Sequence, residues 1–158
     1  MKMIILRMCT FLFLLMPFKT ILAQRDTIYL DYNWSICEKP VAAYYRICAI
    51  NKDKLVFYTG PFEDYYINGK LEMTGSYSSK GTKEGNFISH YQNGNKKEEG
   101  DYFNDRRIGA WLFYTEDGKM ILQLFCTSND DFVPHFIVGK NGDTLLKNGN
   151  GNFVLYTK

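Results

Sequence analysis

Between residues 60 and 126, apolar and polar side chains alternate in short runs, and an Asn-Gly or Asp-Gly pair breaks the alternation at regular intervals. The pairs are Asn68-Gly69, Asn93-Gly94 and Asp117-Gly118, spaced by 25 and 24 residues, with Asn141-Gly142 a further 24 on. Seven residues before the first three of these glycines stand Phe62, Phe87 and Trp111. Each of those aromatics has a glycine two places earlier (Gly60, Gly85, Gly109) and a ring three places later (Tyr65, His90, Tyr114). Period-two alternation predicts strands, and self-similarity at a fixed spacing predicts a repeat architecture.

Asn-Gly between β-prone runs is a strong hairpin signal, and a two-residue type I′ loop is the expected turn. Counting outward from Asn93-Gly94, Gln92 should pair with Asn95, Tyr91 with Lys96, and Phe87 with Gly100. The same count sets Phe62 against Gly75, where a ring can cover bare backbone, and sets Trp111 against Leu124. Alternation then places Phe62, Tyr66, Leu71, Met73, Phe87, Tyr91, Trp111, Met120 and Leu122 on one face. Glu63, Lys70, Glu72, Lys97 and Glu99 fall on the other, together with Tyr65, His90 and Tyr114. A lone hairpin is marginal, so the units must join laterally. The expected fold is all-β: a single twisted antiparallel meander of tandem β-hairpin repeats with a small N-terminal cap segment. Its parts are a cap over 24–59, repeats over 60–84, 85–108 and 109–126, and a degenerate repeat over 127–158, where His135 takes the aromatic's place.

On these residues the stretch from Gly60 to Phe125 resembles the MORN-repeat family in its bacterial variant. The matching residues are Tyr65-Tyr66-x-Asn68-Gly69-Lys70, Phe87-x-x-His90-Tyr91-x-Asn93-Gly94, Gly100-x-Tyr102 and Gly109-x-Trp111-x-x-Tyr114-x-x-Asp117-Gly118-Lys119. The tail, with Gly151-x-Phe153-x-x-Tyr156, resembles the opening of a further unit. Asp31-x-x-Trp34 and Ala43-Tyr44-Tyr45-Arg46 are similar to the segment preceding such repeats in envelope proteins of the Bacteroidota type, some of which continue into a TonB-like domain. The resemblance implies a hairpin-repeat interaction module. Relatives labelled antitoxin components imply, as an alternative, an antitoxin-like neutralising partner.

The first 23 residues change the picture of where the chain works. Lys2 and Arg7, an almost wholly apolar run from Cys9 to Phe18, and Ala23 before Gln24 have the order of a secretory signal peptide. A membrane span needs about 20 apolar residues, and Arg7 and Lys19 lie too close together for that, so no membrane span is expected once the leader is cleaved. The expectation is a secreted or periplasmic protein. The whole chain is formally +2. Lys2, Arg7 and Lys19 all sit in the leader, so the remainder has 16 basic against 17 acidic residues. A nucleic-acid binder would carry a basic excess, and no nucleic-acid partner is expected. Of Cys37, Cys48 and Cys126, an oxidising compartment permits one disulfide, with Cys37 and Cys48 the local choice.

Chemistry of the catalytic kind finds little support. The histidines are His90, in a repeat-face position, and His135, after Pro134. There is no nucleophile elbow, no phosphate-cradling loop and no C-x-x-C. Asn129-Asp130-Asp131 lacks the spaced oxygens of a calcium loop. The reading is therefore a non-enzymatic exported module without cofactor or metal, binding a protein partner in the cell envelope. A membrane- or glycan-associated accessory role is the alternative from another class. Tyr45, Tyr65, His90 and Tyr114 are the expected interaction surface, and Asn68, Gly69, Asn93, Gly94, Asp117, Gly118, Asn141 and Gly142 the structural turns.

Overall fold

The computed structural model describes residues 25–50, 58–127 and 131–151. The leader, Asn129, Asp130, Phe153 and Tyr156 lie outside the described residues. The chain forms β1 (Arg25–Leu30), β2 (Tyr44–Ile50), β3 (Tyr58–Tyr66), β4 (Leu71–Tyr77), β5 (Gly85–His90), β6 (Lys96–Phe103), β7 (Arg106–Tyr114), β8 (Met120–Cys126), β9 (Phe132–Val138), β10 (Thr144–Lys147) and β11 (Asn150–Gly151), with one 3-10 turn at Lys39–Val41. Each strand bonds only to its neighbours in sequence, giving one eleven-stranded antiparallel meander. Among the described residues there is no helix long and apolar enough to cross a membrane. The segment before the repeats joins the same sheet as β1 and β2.

The repeat turns are not the expected type I′. In each Asn/Asp-Gly pair only the glycine has positive φ: +86° at Gly69, +93° at Gly94, +84° at Gly118 and +87° at Gly142. The N–H of Gly69 bonds the carbonyl of Tyr66, and the N–H of Tyr66 bonds the carbonyl of Lys70. Tyr91–Asn95, Thr115–Lys119 and Gly139–Asp143 repeat the pattern. This is a three-residue loop, a type I turn closed by a left-handed glycine, so the asparagine never needs positive φ. Type I′ geometry occurs elsewhere: both central residues are left-handed at Asn104-Asp105 (50°, 66°) and at Asn148-Gly149 (53°, 74°).

A longer loop should shift every pair by one, yet Phe62 faces Gly75, Phe87 faces Gly100 and Trp111 faces Leu124, as the two-residue count requires. The compensation is a bulge three residues after each glycine. Asp64 pairs with Met73 but Tyr65 with Leu71, leaving Glu72 as the extra residue. Lys97, Ile121 and Leu145 are the extra residues of the next three hairpins. Near the turns the expected pairs fail: His90, not Tyr91, faces Lys96. The faces change accordingly. Leu71 and Met120 lie opposite Tyr65 and Tyr114 on the outer face, while Glu72 turns to the inner one, where it is buried. The fourth hairpin shares the turn and the bulge, so its register at the turn is intact.

The inner face centres on Cys48, Phe62, Phe87 and Trp111, all buried. Each large apolar side chain buried there contributes about 1.5–3 kcal/mol. The rings run edge to face across the strands, Phe87 to Tyr102 at 4.7 Å and Tyr102 to Trp111 at 5.1 Å. They need bare backbone beneath them: a Cβ on Gly75 would meet Phe87 at 2.6 Å, and one on Gly100 would meet Trp111 at 2.4 Å. Successive hairpins are also tied by hydroxyls, Tyr66 donating to the His90 carbonyl at 2.7 Å and Tyr91 to that of Tyr114 at 2.8 Å.

Cys37, Cys48 and Cys126 are free thiols, contrary to the expected Cys37–Cys48 bridge. Cys48 is opposite Asp26 on the inner face, whereas the Cys37 N–H bonds the Tyr29 carbonyl three positions further along β1. That is about 10 Å of strand, beyond disulfide reach.

Candidate functional site

The expected interaction residues form one lateral row on the outer face. Tyr45 faces Tyr65, His90 faces Lys96 and Tyr114 faces Met120. Only Tyr45 and Tyr65 are in ring contact, stacked at 5.0 Å and 10°. All four are half-buried. The Tyr65 hydroxyl donates to Glu63 at 3.1 Å. The Tyr114 hydroxyl donates to Glu99 at 2.6 Å, and burial together with that carboxylate pushes its pKa up to about 12. Burial lowers the pKa of His90, whose Nδ1 is enclosed without a partner.

The inner face holds a second arrangement. Its aromatic rings are covered by cations lying across them: the Arg46 guanidinium over Phe62 at 4.4 Å, Lys83 over Tyr102 at 4.9 Å, and Arg107 over Trp111 at 4.0 Å. Such contacts are favourable when partly desolvated, and long cationic side chains shield apolar surface with their stems. Lys83 and Arg107 occupy equivalent places, two residues before Gly85 and Gly109. In the first unit that place is Tyr58, so β2 supplies Arg46 instead. Arg46 is clamped by Asp64 through two bonds of 2.7 Å and reaches the Tyr77 hydroxyl at 3.1 Å. Asp64 is 0% exposed.

Between Arg46–Asp64 and the second ion pair, Arg107–Glu98 at 3.2 Å, the sheet opens into a cavity of about 500 Å³. Glu72, Ser89 and Met73 lie in its wall. Met73 and Ser89 are register partners across β4 and β5, and Ser89 faces Glu98 on β6. Glu72 Oε2 and Ser89 Oγ are buried without hydrogen-bond partners, in residues only 4% and 3% exposed. Burial, reinforced by Asp64, raises the Glu72 pKa to about 7. A second hollow of about 190 Å³ shares Met73, Phe87 and Ser89 and runs on to Trp111.

Trp34 borders the larger cavity. Its loop repeats the hairpin turn: the Asp31 N–H bonds the Ser35 carbonyl, and the Trp34 N–H bonds the Asp31 carbonyl. Trp34 therefore stands where the repeats place glycine, at φ 63°. For a side chain this large the left-handed conformation costs about 1–2 kcal/mol. Its ring stacks on Tyr44 at 4.4 Å and 6°, which offsets part of that cost. The site is not legible in the sequence, because alternation sets Glu72 on the outer face and Arg46 lies outside the repeat. Among the described residues no group of His, Cys, Asp and Glu could hold a metal ion. Compared with known proteins, the chain matches no family model, no curated protein and no solved structure.

Proposed function

We propose that the chain is a non-enzymatic repeat protein of the cell envelope, a bacterial variant of the MORN-repeat family, which binds a protein partner through the outer face of its sheet. The observation that carries the reading is that no described element packs over that face; the principal contacts between elements are those of successive strands. The face displays the stacked Tyr45 and Tyr65 at one end. At the other end Phe125 and Val133, register partners on β8 and β9, are 41% and 57% exposed. Apolar and aromatic groups rimmed by polar side chains mark interaction surfaces. The leader-like first 23 residues support a partner in the envelope, and the near-neutral remainder of the chain argues against a polyanion.

The test is cross-linking in intact cells with the exported chain as bait. A partner captured by the native chain should be lost with Tyr65→Asp and with Val133→Asp, and retained with Lys97→Ala on the inner face. Equal capture by all four proteins would remove the reading.

A further inference from the structure

The inner-face trough does not belong to the outer-face reading and stands on its own observations. We propose that it is a binding site for a neutral, hydroxyl-bearing oligosaccharide segment, with Trp34 as stacking platform and Glu72 and Ser89 as hydrogen-bonding groups.

Size, charge, hydrogen bonding and the exposed ring each bear on the ligand. The cavity of about 500 Å³ continues into the hollow that ends at Trp111, so the site is elongated. Ligand cavities of this kind commonly measure about 300–1,000 Å³. The charges around it largely cancel in pairs, Arg46 with Asp64 and Arg107 with Glu98, while Lys83 and Lys97 stand beside Glu72 and leave a small positive excess. A ligand anion would face Glu72 and Glu98, and a ligand cation would face Lys83 and Lys97. A neutral ligand meets neither obstacle. The two unpartnered atoms set the remaining requirement. A buried polar group without a partner costs about 1–3 kcal/mol, and both such atoms belong to residues that line one cavity. Hydroxyls both donate and accept. Ser89 Oγ does the same, and so does a carboxyl whose pKa lies near 7.

The last feature is Trp34. It is 40% exposed, stacks on Tyr44 and borders the cavity from a strained backbone position. Strained residues gather at ligand clamps, and an indole offers a flat apolar surface to the C–H face of a sugar ring.

The test exploits the fact that the chain has two tryptophans, Trp34 and Trp111, which stand at the two ends of the trough. Intrinsic fluorescence and calorimetry are followed while cellohexaose, maltohexaose, mannohexaose and chitohexaose are titrated separately into the full exported chain. At least one should give a saturable change. That binding should weaken about tenfold with Trp34→Gly and with Ser89→Ala, roughly the value of one stacking or hydrogen-bonding contact. Both variants should keep the fold, since the turn takes glycine elsewhere and Ser89 Oγ holds no partner; a melting temperature no lower than that of the native chain verifies this. Tyr65→Asp should leave sugar binding intact, so this site and the outer-face reading fail separately. No response from any of the four sugars at about 10 mM, where even millimolar affinity saturates, would overturn the proposal. So would binding indifferent to both trough variants, or binding of acetyl-Ser-Ala-Ser-Ala-amide in place of the sugars.

Discussion

The first and third hairpins share one backbone and fill it in opposite ways. Five residues before the turn glycine stand Asp64 in the first and Phe113 in the third. Three residues after it the bulge presents Glu72 in one and Ile121 in the other, and six residues after it Gly75 gives way to Leu124. The first is a charged interior in which Asp64 holds Arg46 over the rings; the third packs Trp111, Phe113 and Leu124 against one another. Among the described residues the inner face is thus covered from within, by cations laid on rings in both hairpins and, in the third, by added aliphatic volume as well. The charged solution leaves polar groups facing an open cavity, and the apolar one does not.

The sharpest way to break the contrast is to orphan the charge. Asp64→Ala leaves the Arg46 guanidinium buried without its partner and should cost about 3–5 kcal/mol, whereas Arg46→Met with Asp64→Leu should be close to neutral. Urea unfolding measures both, and a small loss in the single variant would mean that water already reaches Arg46.

Next in size is Glu72. Its pKa in the folded chain is about 7 against an ordinary 4.5. Between those values the folded state keeps a proton that the unfolded state has lost, so stability falls as pH rises through this window, by about 3 kcal/mol. Glu72→Gln should flatten the melting temperature between pH 5 and about 8 and raise it at the alkaline end. Ile121, the equivalent residue, carries no such dependence. A wild-type curve already flat would show Glu72 to be ionised and solvated.

The smallest effect sharpens the packing half of the comparison. Gly100→Ala drives a methyl against Trp111 and should destabilise by about 1–3 kcal/mol. At the matching position of the third hairpin the sign of the volume change reverses: Leu124→Ala should lose about 1–2 kcal/mol by removing apolar contact. Thermal unfolding of the pair reads both, and a stabilising Gly100→Ala would contradict the close approach.

Much of this was legible in the chain itself. Spacing alone located the hairpins and the pairs Phe62–Gly75 and Phe87–Gly100, because the turn that breaks the expected count and the bulge that restores it cancel beyond the bulge. The same cancellation hid the site. Alternation by twos cannot see an extra residue, so it sets Glu72 and Lys97 on the outer face and Leu71 and Met120 on the inner, each the reverse of the structure. Arg46 was invisible for another reason: comparing units reveals what recurs, and its role passes to Lys83 and Arg107 only in later units. Asp31-x-x-Trp34 stands out in the sequence as a motif, and its spacing is also that of a turn with the glycine replaced.

Pairing strictly between chain neighbours has a consequence for growth. Among the described strands none waits for a distant segment, so contacts close over short loops and formation can begin at any hairpin and spread along the ribbon. Duplicating a stretch of about two dozen residues would then extend the ribbon and change partners only at the point of insertion. In such an architecture length is free to drift, and whichever strands end the ribbon (β1 and β11 among the described ones) must be guarded against adding strands from other molecules.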